Sequence, residues 1–391
     1  MDIKQTYHNN IMNSYAKQDV VIVKGKGATC YDEDGKKYID FNSGIGVNSL
    51  GYADEDWCNA VANQAKTLQH TSNLYYSKPP VELAKALCDK TGYTNLFFSN
   101  SGAEANECAI KLARKYSCDK YGVDTNRNKI LTLKNSFHGR TITTLIATGQ
   151  DVFHQHFFPF TEGFHYAEAN NIDDVKQKLS DDKYCAVMFE FIQGEGGVIP
   201  LDKNFVNELF AFCTENDILL IADEVQTGIG RTGKLLASEI YGVKPNITTL
   251  AKGLGGGLPI GCTIVDEKLS TVFSYGDHGT TFGGNPVVCA GANVVLQKVA
   301  NDEFLAEVIA KGDYIKKQLL ALDEVESVDG IGMMMGVKFK TKVAGEVVKE
   351  CIQKGCIPLT AKEKLRLLPP LTISYEEIDK GLDILNEVLI K

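Results

Sequence analysis

Short apolar runs alternate with amphipathic stretches between about residues 95 and 266 of the chain. The runs that predict strands are LFF (96–98), ILTL (130–133), CAVMFEFI (185–192), ILLIA (218–222), ITTLA (247–251) and CTIV (262–265). Between them, residues 105–116 and 204–216 repeat apolar side chains at the spacing of a helix that buries one face. Strands that alternate with helices in this way predict βαβ units and a mainly parallel sheet.

The two ends of the chain follow other patterns. Near the N-terminus, strand-forming residues lie on both sides of Asp34-Gly35, a dipeptide suited to a tight hairpin turn. Near the C-terminus, Ser374 and Glu377 form a capping box ahead of the apolar stripe of a last helix. Helical segments also flank the apolar stretch at 328–339, which indicates a smaller α+β unit.

We therefore predict an α/β chain in three parts. Residues 1–50 form an N-terminal segment with a hairpin, which packs with the small domain and the active site. Residues 51–290 form a large domain, and residues 291–391 form a C-terminal small α+β domain. A chain of 391 residues, with 44% hydrophobic and 23% charged residues, is long enough for such units.

Charge and composition exclude several classes of function. A net charge of −9 argues against a nucleic-acid or anionic-membrane partner, because both require a basic surface. The chain has no apolar leader and no run long enough to span a membrane, so we expect a cytoplasmic protein. The eleven cysteines form no C-x-x-C pair and are expected to be reduced core residues. No metal site is predicted, since His154 and His156 have no third ligand nearby.

Two charged residues close strand-like runs. Asp223 ends ILLIAD and Lys252 ends ITTLAK. A charge directly after a buried strand is unfavourable unless it is paired with an opposite charge or takes part in binding or catalysis. Because ligands bind beyond the carboxyl ends of the strands in open α/β sheets, a carboxylate and an amine there could serve pyridoxal phosphate. The alternative is a buried ion pair between the two side chains that supports the sheet.

Other loops carry groups that suit a phosphate or a flat ring. Ser101-Gly102-Ala103 follows a strand and precedes a helix, so its free amides could bind a phosphate, although an ordinary helix cap would look the same. Phe137 could stack on a ring, and Arg140 could bind a carboxylate through two parallel hydrogen bonds.

Three more candidates lie further along the chain. Thr280 and Thr281 place two hydroxyl groups on a glycine-rich loop, which suits a phosphate. Arg366 is a second candidate for binding a carboxylate, and a solvated arginine before a proline turn is its alternative.

One segment matches two nucleotide-binding patterns. Residues Gly228–Lys234 fit both the dinucleotide motif G-x-G-x-x-G and the nucleotide-triphosphate motif G-x-x-x-x-G-K. Leu235 stands where the second motif needs Ser or Thr, and acidic and polar residues separate the first motif from its strand. A nucleotide-triphosphate-binding protein is the alternative from a different class.

Seven stretches together have the order and spacing of one family. They are NSGAEANE, FHGRT, IQGEGG, ADEVQTGIGRTG, LAKGLGGGLPIG, HGTTFGGNP and RLLPPLTIS. In these motifs the chain resembles the class III (fold-type I) pyridoxal-phosphate-dependent aminotransferases over essentially its whole length. The resemblance implies a large cofactor-binding domain, with a mainly parallel seven-stranded sheet flanked by helices, and a smaller α+β domain.

The resemblance also implies roles for the matching residues. Lys252 would bind the cofactor covalently and carry the proton during catalysis, and Asp223 would keep the pyridine nitrogen protonated. Phe137 and Val225 would lie on the two faces of the ring, and Gln226 would approach its hydroxyl group. The residues expected to contact pyridoxal phosphate are Ser101, Gly102, Ala103, Phe137, Asp223, Glu224, Val225, Gln226, Lys252 and Thr281.

Substrate and partner contacts follow from the same resemblance. Arg140 would hold the substrate α-carboxylate, with Thr280 nearby. Arg366 would bind a carboxylate of glutamate, and Glu195 would mask that arginine while the diamine is bound. Thr281 would reach the phosphate from the partner subunit, which implies a homodimer with active sites at the interface.

The implied reaction moves the δ-amino group of N2-acetyl-L-ornithine to 2-oxoglutarate, giving N-acetyl-L-glutamate 5-semialdehyde and L-glutamate in arginine biosynthesis. Relatives that act on ornithine carry a tyrosine in the N-terminal active-site segment, where this chain reads Gly44-Ile45-Gly46-Val47. The missing ring leaves room for an acyl group and favours an N-acylated substrate. The alternative within the family is another ω-aminotransferase, acting on ornithine, succinylornithine, 4-aminobutyrate or an acyl-lysine.

Overall fold

The computed structural model describes residues 2–390 of the chain. The strands are β1 (Ile22–Lys26), β2 (Thr29–Asp32), β3 (Lys37–Asp40), β4 (Asn95–Ser99), β5 (Lys129–Leu133), β6 (Phe164–Ala167), β7 (Tyr184–Phe189), β8 (Ile192–Gln193), β9 (Ile199–Pro200), β10 (Leu219–Asp223), β11 (Ile247–Leu250), β12 (Gly261–Val265), β13 (Val325–Ile331), β14 (Met334–Phe339), β15 (Cys356–Ile357), β16 (Leu359–Ala361) and β17 (Lys364–Leu367). The helical segments are α1 (Ile3–Asn10), α2 (Ser43–Gly46), α3 (Glu55–Thr67), α4 (Lys78–Thr91), α5 (Gly102–Tyr121), α6 (Ile142–Ala147), α7 (Ile172–Lys178), α8 (Lys203–Glu215), α9 (Ser238–Tyr241), α10 (Pro286–Val299), α11 (Asp302–Leu320), α12 (Ala344–Lys354) and α13 (Tyr375–Leu389). None of the helices within residues 2–390 has the length and apolar character needed to cross a membrane.

The central sheet has seven strands in the order β4-β12-β11-β10-β7-β5-β6. β12 runs antiparallel to both of its neighbours, and the other pairs are parallel. Every residue of β7 and β10 is buried, as expected for apolar strands covered on both faces. The prediction of a mainly parallel seven-stranded sheet is confirmed.

Helices cover both faces of this sheet, because alternate residues of each strand point to opposite sides. Leu131 and Leu220 pack on one side in a cluster that includes Leu209 of α8. Ile130 and Ile221 pack on the other side with residues of α5. Full burial of each such side chain stabilises the folded state by about 1.5–3 kcal/mol. The two layers leave the carboxyl ends of the strands uncovered.

The N-terminal hairpin and the C-terminal part share a sheet. β1, β2, β3 and β15 form four strands, in which β3 and β15 are parallel and Ile39 lies opposite Cys356. Gly35 in the hairpin turn has a φ of 82°, a conformation that favours glycine. A second four-stranded sheet has the order β13-β14-β17-β16. The predicted domain boundaries at residues 50 and 290 stay a prediction.

The segment after β3 passes through a left-handed turn. In α2 (Ser43–Gly46) the φ angles are 46°, 66°, 65° and 75°, which is unfavourable for residues with a side chain. Asp40 Oδ1 accepts hydrogen bonds of 2.8 Å from the amides of Asn42 and Ser43. The Ser43 hydroxyl donates to the carbonyl of Leu368 at 2.6 Å. These bonds hold the chain in the strained turn just before it reaches the site.

Candidate active site

A cavity of about 610 Å³ lies at the carboxyl ends of β7, β10 and β11, beside the start of α5. This is the edge at which open α/β sheets bind their ligands. The predicted site residues that line it are Ser101, Gly102, Ala103, Phe137, Arg140, Glu195, Asp223, Val225, Gln226 and Lys252. The structure therefore brings together side chains from five separate loops at one place.

Asp223 is held in a buried hydrogen-bond network at the end of β10. Its Oδ2 atom lies 2.8 Å from Asn106 Nδ2 and 2.8 Å from His138 Nδ1. Its Oδ1 atom accepts from the amide of Val225 at 3.1 Å. Asn106 is oriented in turn by Thr249, whose hydroxyl donates to Asn106 Oδ1 at 2.7 Å. The carboxylate is thus fixed in direction before any ligand binds.

Lys252 lies just beyond β11 with a φ of 41°, a strained backbone for a residue with a side chain. Burial, and then the positive charge of Arg366, lower the pKa of the Lys252 amine, while the carboxylate of Glu195 opposes the shift. A lowered pKa increases the neutral, nucleophilic fraction of an amine. Lys252 and Asp223 form no ion pair with each other, so the buried pair considered as an alternative is absent.

Glu190 is a second buried carboxyl group in the cavity wall. Its Oε2 accepts from the Phe137 amide at 3.0 Å, and its Oε1 accepts from the Gly194 amide at 3.3 Å. Burial, and then the charge of Asp223, raise the pKa of Glu190 well above its usual value. Burial beside Asp223 therefore disfavours the charged form of Glu190.

The start of α5 presents free amides to the cavity. The Ser101 side chain caps the helix by accepting from the Glu104 amide at 3.2 Å. Within the described residues, the amides of Gly102 and Ala103 have no acceptor. A Cβ atom on Gly102 would lie 2.8 Å from a methyl group of Val225, so only glycine fits. Free amides at the start of a 20-residue helix form a site for an anion.

Two arginines differ in their partners: Arg140 lines the cavity, whereas Arg366 lies behind the lining residues Glu195 and Gln226. Arg366, only 3% exposed, donates from Nη1 to Glu195 Oε1 at 2.6 Å and from Nη2 to Oε2 at 3.3 Å. Burial alone would raise the pKa of Glu195. The charge and hydrogen bonds of Arg366 outweigh burial and lower that pKa. Arg366 Nη1 also lies 3.3 Å from Gln226 Oε1. Arg140 has no acidic partner among the described residues and contacts aromatic rings instead.

Glu224 lies outside the cavity. Its carboxylate accepts from the amides of Ala237 at 2.5 Å and Ser238 at 2.9 Å, and from the Thr227 hydroxyl at 3.2 Å. Burial raises the pKa of Glu224 to about 7, although the two amides oppose this. The geometry does not support the predicted cofactor contact of Glu224, and the side chain instead stabilises the start of α9.

Thr280 and Thr281 also lie apart from the Lys252 cavity. The Thr280 hydroxyl accepts from Asn100 Nδ2 at 3.0 Å and from the Gly283 amide at 3.2 Å. Thr281 lines a separate surface cavity of about 190 Å³, together with Tyr76 and neighbouring residues. Within one subunit, the structure therefore does not bring Thr281 to the start of α5.

Several cavity residues were not predicted. Asn106 and His138 orient Asp223, while Tyr15 and residues 257–260 line the wall beside Val47, which belongs to the segment expected to leave room for an acyl group. Asn106 could have been found, because it is a polar residue on the buried, apolar face of α5. The contact of Tyr15 has no comparable signal, since it depends on how the N-terminal segment packs.

The segment Gly228–Lys234 does not form a phosphate loop. It makes consecutive turns, and the next helix is the four-residue α9. Arg231 within it is buried and donates to the carbonyls of Met333 at 3.1 Å and Pro369 at 2.5 Å. This segment joins the central sheet to the C-terminal part, which argues against the nucleotide-triphosphate alternative.

Comparisons with known proteins agree with this geometry. The family model described as "Aminotransferase class-III" matches residues 11–389. A Haemophilus ducreyi protein named acetylornithine aminotransferase is 52% identical over 388 residues, covering 99% of this chain and 98% of that protein. The solved N-acetylornithine aminotransferase of Stenotrophomonas maltophilia is 33% identical, with a TM-score of 0.86 and coverage of 99% and 98%. The solved ornithine aminotransferase of Toxoplasma gondii is 28% identical, with a TM-score of 0.94 and coverage of 99% and 94%.

These matches extend over nearly the whole chain. They confirm the resemblance carried by the seven motifs, the fold class, and the prediction of an aminotransferase enzyme. Enzymes of this family depend on pyridoxal phosphate. The chain belongs to the class-III aminotransferase family.

Proposed function

We propose that this enzyme uses pyridoxal phosphate to transfer the δ-amino group of N2-acetyl-L-ornithine to 2-oxoglutarate. The products are N-acetyl-L-glutamate 5-semialdehyde and L-glutamate, in a reaction of arginine biosynthesis in the cytoplasm. The observation that carries the proposal is the pair of arginines, with Arg140 open in the cavity wall and Arg366 masked behind Glu195, which lines the same cavity. The 52% identity to a protein named acetylornithine aminotransferase supports the same substrate.

The cavity residues fit this cofactor. The free amides of Gly102 and Ala103 suit its phosphate, and the Lys252 amine and the fixed Asp223 carboxylate suit its aldehyde and ring nitrogen. When bound, pyridoxal phosphate supplies a conjugated ring that accepts electrons from the carbon bearing the amine. Val225, which would contact one face of the ring, packs directly against Gly102 at the start of α5.

Two residues of the chain handle protons in this proposal. The neutral form of Lys252, favoured by its lowered pKa, takes a proton from the amine-bearing carbon and returns it at the next step. Asp223 would keep a proton on the ring nitrogen when the cofactor is bound, because its buried carboxylate is oriented by Asn106 and His138. His138 Nδ1 lies 2.8 Å from Asp223 Oδ2 and limits the directions that this carboxylate can take.

The two arginines bind different ends of the substrates. Arg140 binds the α-carboxylate of N2-acetylornithine, since its guanidinium has no competing acidic partner. Glu195 neutralises Arg366 while the acylated diamine presents an uncharged chain to that part of the cavity. When 2-oxoglutarate binds, the α-carboxylate on its reacting carbon replaces Glu195 on Arg366, and its distal carboxylate binds Arg140. One site can thus accept both an amine and a dicarboxylate.

The N-terminal turn supports an acylated substrate. Val47 lines the cavity directly after the left-handed turn Ser43–Gly46, and Ile45 in that turn is 42% exposed. Neither residue places an aromatic ring in the entrance. The space left there suits an N-acyl group next to the α-carboxylate.

A substrate comparison tests the proposal. Turnover is measured with N2-acetylornithine, free ornithine, succinylornithine and 4-aminobutyrate, each with 2-oxoglutarate as the acceptor. We expect kcat/KM for N2-acetylornithine to exceed that for free ornithine by at least about tenfold, roughly the effect of 1.4 kcal/mol of differential binding. A preference for free ornithine would contradict the proposed substrate and leave the aminotransferase activity intact.

We also propose a homodimer in which each subunit completes the site of its partner. Thr281 lies away from its own Lys252 cavity. Around it, Tyr75, Tyr76, Tyr275 and Phe282 are mostly exposed, as expected for a surface that another subunit covers. The Thr281 hydroxyl would then reach the phosphate bound at the partner's α5.

Mixed dimers test the position of Thr281. Thr281→Ala alone is expected to weaken cofactor binding about ten- to 100-fold, the effect of one hydrogen bond to a charged group. In a dimer of one Thr281→Ala subunit and one Lys252→Ala subunit, one site keeps both wild-type residues. We expect cofactor titration, followed by absorption, to show one tight site per mixed dimer. Weak binding at every site would mean that Thr281 acts within its own subunit, and wild-type cofactor affinity in Thr281→Ala alone would mean that Thr281 does not contact the phosphate.

A further inference from the structure

The guanidinium of Arg140 is held by aromatic rings. Its central carbon lies 4.2 Å from the ring centre of Phe153 and 5.6 Å from that of Phe137. Among residues 2–390, no carboxylate forms an ion pair with it, whereas Arg366 is paired with Glu195. The nearer ring, Phe153, belongs to none of the seven family motifs and was not among the predicted site residues.

Phe153 is itself fixed in place. It ends a short 3-10 helix, and its amide donates to the carbonyl of Gln150 at 3.0 Å. The side chain of Gln150 donates to the carbonyl of Ser136 at 2.9 Å, and the Gly149 amide donates to Ser136 Oγ at 3.0 Å. The loop that carries Phe153 is therefore bound to the residue directly before Phe137. The ring keeps a set position relative to the cavity.

We propose that Phe153 is a positioning residue that holds Arg140 at the cavity while leaving its charge free for a substrate carboxylate. An aromatic face attracts a cation without neutralising it. A carboxylate in the same place would have to be displaced by each substrate, as Glu195 is at Arg366. The inference rests on the proposed function, in which Arg140 binds the α-carboxylate of N2-acetylornithine and the distal carboxylate of 2-oxoglutarate.

The contact also restricts where the guanidinium points. An exposed arginine side chain loses rotamer freedom when it binds, and a ring that already orders it reduces this loss. Phe153 and Phe137 lie edge to face, with ring centres 6.1 Å apart and planes at 74°. A purely structural role for Phe153 would act through this ring contact and would therefore disturb Phe137 as well.

Kinetics of three variants separate the two roles. Phe153→Leu removes the aromatic face, Phe153→Tyr keeps it, and Phe157→Leu changes an exposed aromatic residue of the same loop. In Phe153→Leu we expect KM for N2-acetylornithine and for L-glutamate to rise about three- to tenfold, with kcat within twofold. Inhibition by glutarate weakens by the same factor. Phe153→Tyr and Phe157→Leu keep wild-type values.

A donor without a carboxylate gives the decisive comparison. If Phe153 acts through Arg140, Phe153→Leu leaves kcat/KM for a primary alkylamine unchanged, and it adds no further loss to Arg140→Ala. An equal loss for the alkylamine, or a changed absorption spectrum of the bound cofactor, would mean a structural role and overturn the proposal. If N2-acetylornithine is no substrate of the wild type, the proposed function fails, but L-glutamate and glutarate still test Phe153.

Discussion

Replacing Lys252 with alanine is expected to abolish amino transfer, with kcat reduced by on the order of 10⁴-fold or more. The side chain is the only amine within the described residues that lines the cavity, so no neighbour can take over its proton transfers. We also expect loss of the visible absorption band that the wild-type protein shows with pyridoxal phosphate. Single-turnover kinetics and an absorption spectrum of each protein measure the two effects.

Lys234→Ala is the matched control for this experiment. Lys234 is an exposed lysine of the glycine-rich segment that the nucleotide-triphosphate alternative would require. Its replacement is expected to change neither kcat nor the spectrum. The proposal is contradicted if Lys252→Ala keeps more than about one tenth of the wild-type rate, or if the wild type never develops the band.

Replacing Arg366 with glutamine is expected to raise KM for 2-oxoglutarate by roughly 100-fold, because two charge-assisted hydrogen bonds to its α-carboxylate are lost. The half-reaction with N2-acetylornithine is expected to change by less than about tenfold, since that substrate presents no charge to Arg366. The same substitution removes the partner of Glu195. Because the two half-reactions are expected to respond differently, each is followed separately by the change in cofactor absorption.

Lys364→Gln provides the control for Arg366→Gln. Lys364 lies on the same strand, β17, and pairs with Asp329 at 2.7 Å away from the cavity. The Lys364→Gln substitution removes one positive charge from the strand and is expected to leave both half-reactions unchanged. Equal losses in the two half-reactions of Arg366→Gln would show a general disturbance of the site and not a carboxylate contact.

Most of the central sheet could be predicted because its strands are continuous apolar runs. β6 was missed, since it is a four-residue edge strand in which His165 is exposed and only its first and last residues are buried. The capping box of Ser374 and Glu377 is confirmed at the start of α13. A capping box can be predicted from the sequence because both residues that form its hydrogen bonds lie within one short segment.

Contacts between distant segments explain what could not be predicted in the site. Side chains alternate along a strand, so Asp223 facing the cavity implies that Glu224 faces away, and this could have been deduced. His138 was noted only as part of a loop motif, because its bond to Asp223 joins residues 85 positions apart. The contact between Phe153 and Arg140 depends equally on packing between loops.

The parallel pairing of β3 with β15 has a consequence for synthesis of the chain. Lys36 Nζ donates to the carbonyl of Gln353 at 2.6 Å, across 317 residues of sequence. At roughly 5–20 residues per second, the ribosome needs about 15–60 s to make the second strand after the first. During that time the β3 edge has no partner and offers its backbone to any extended chain nearby. The newborn N-terminal hairpin is therefore an unpaired sheet edge until the C-terminal part has been made.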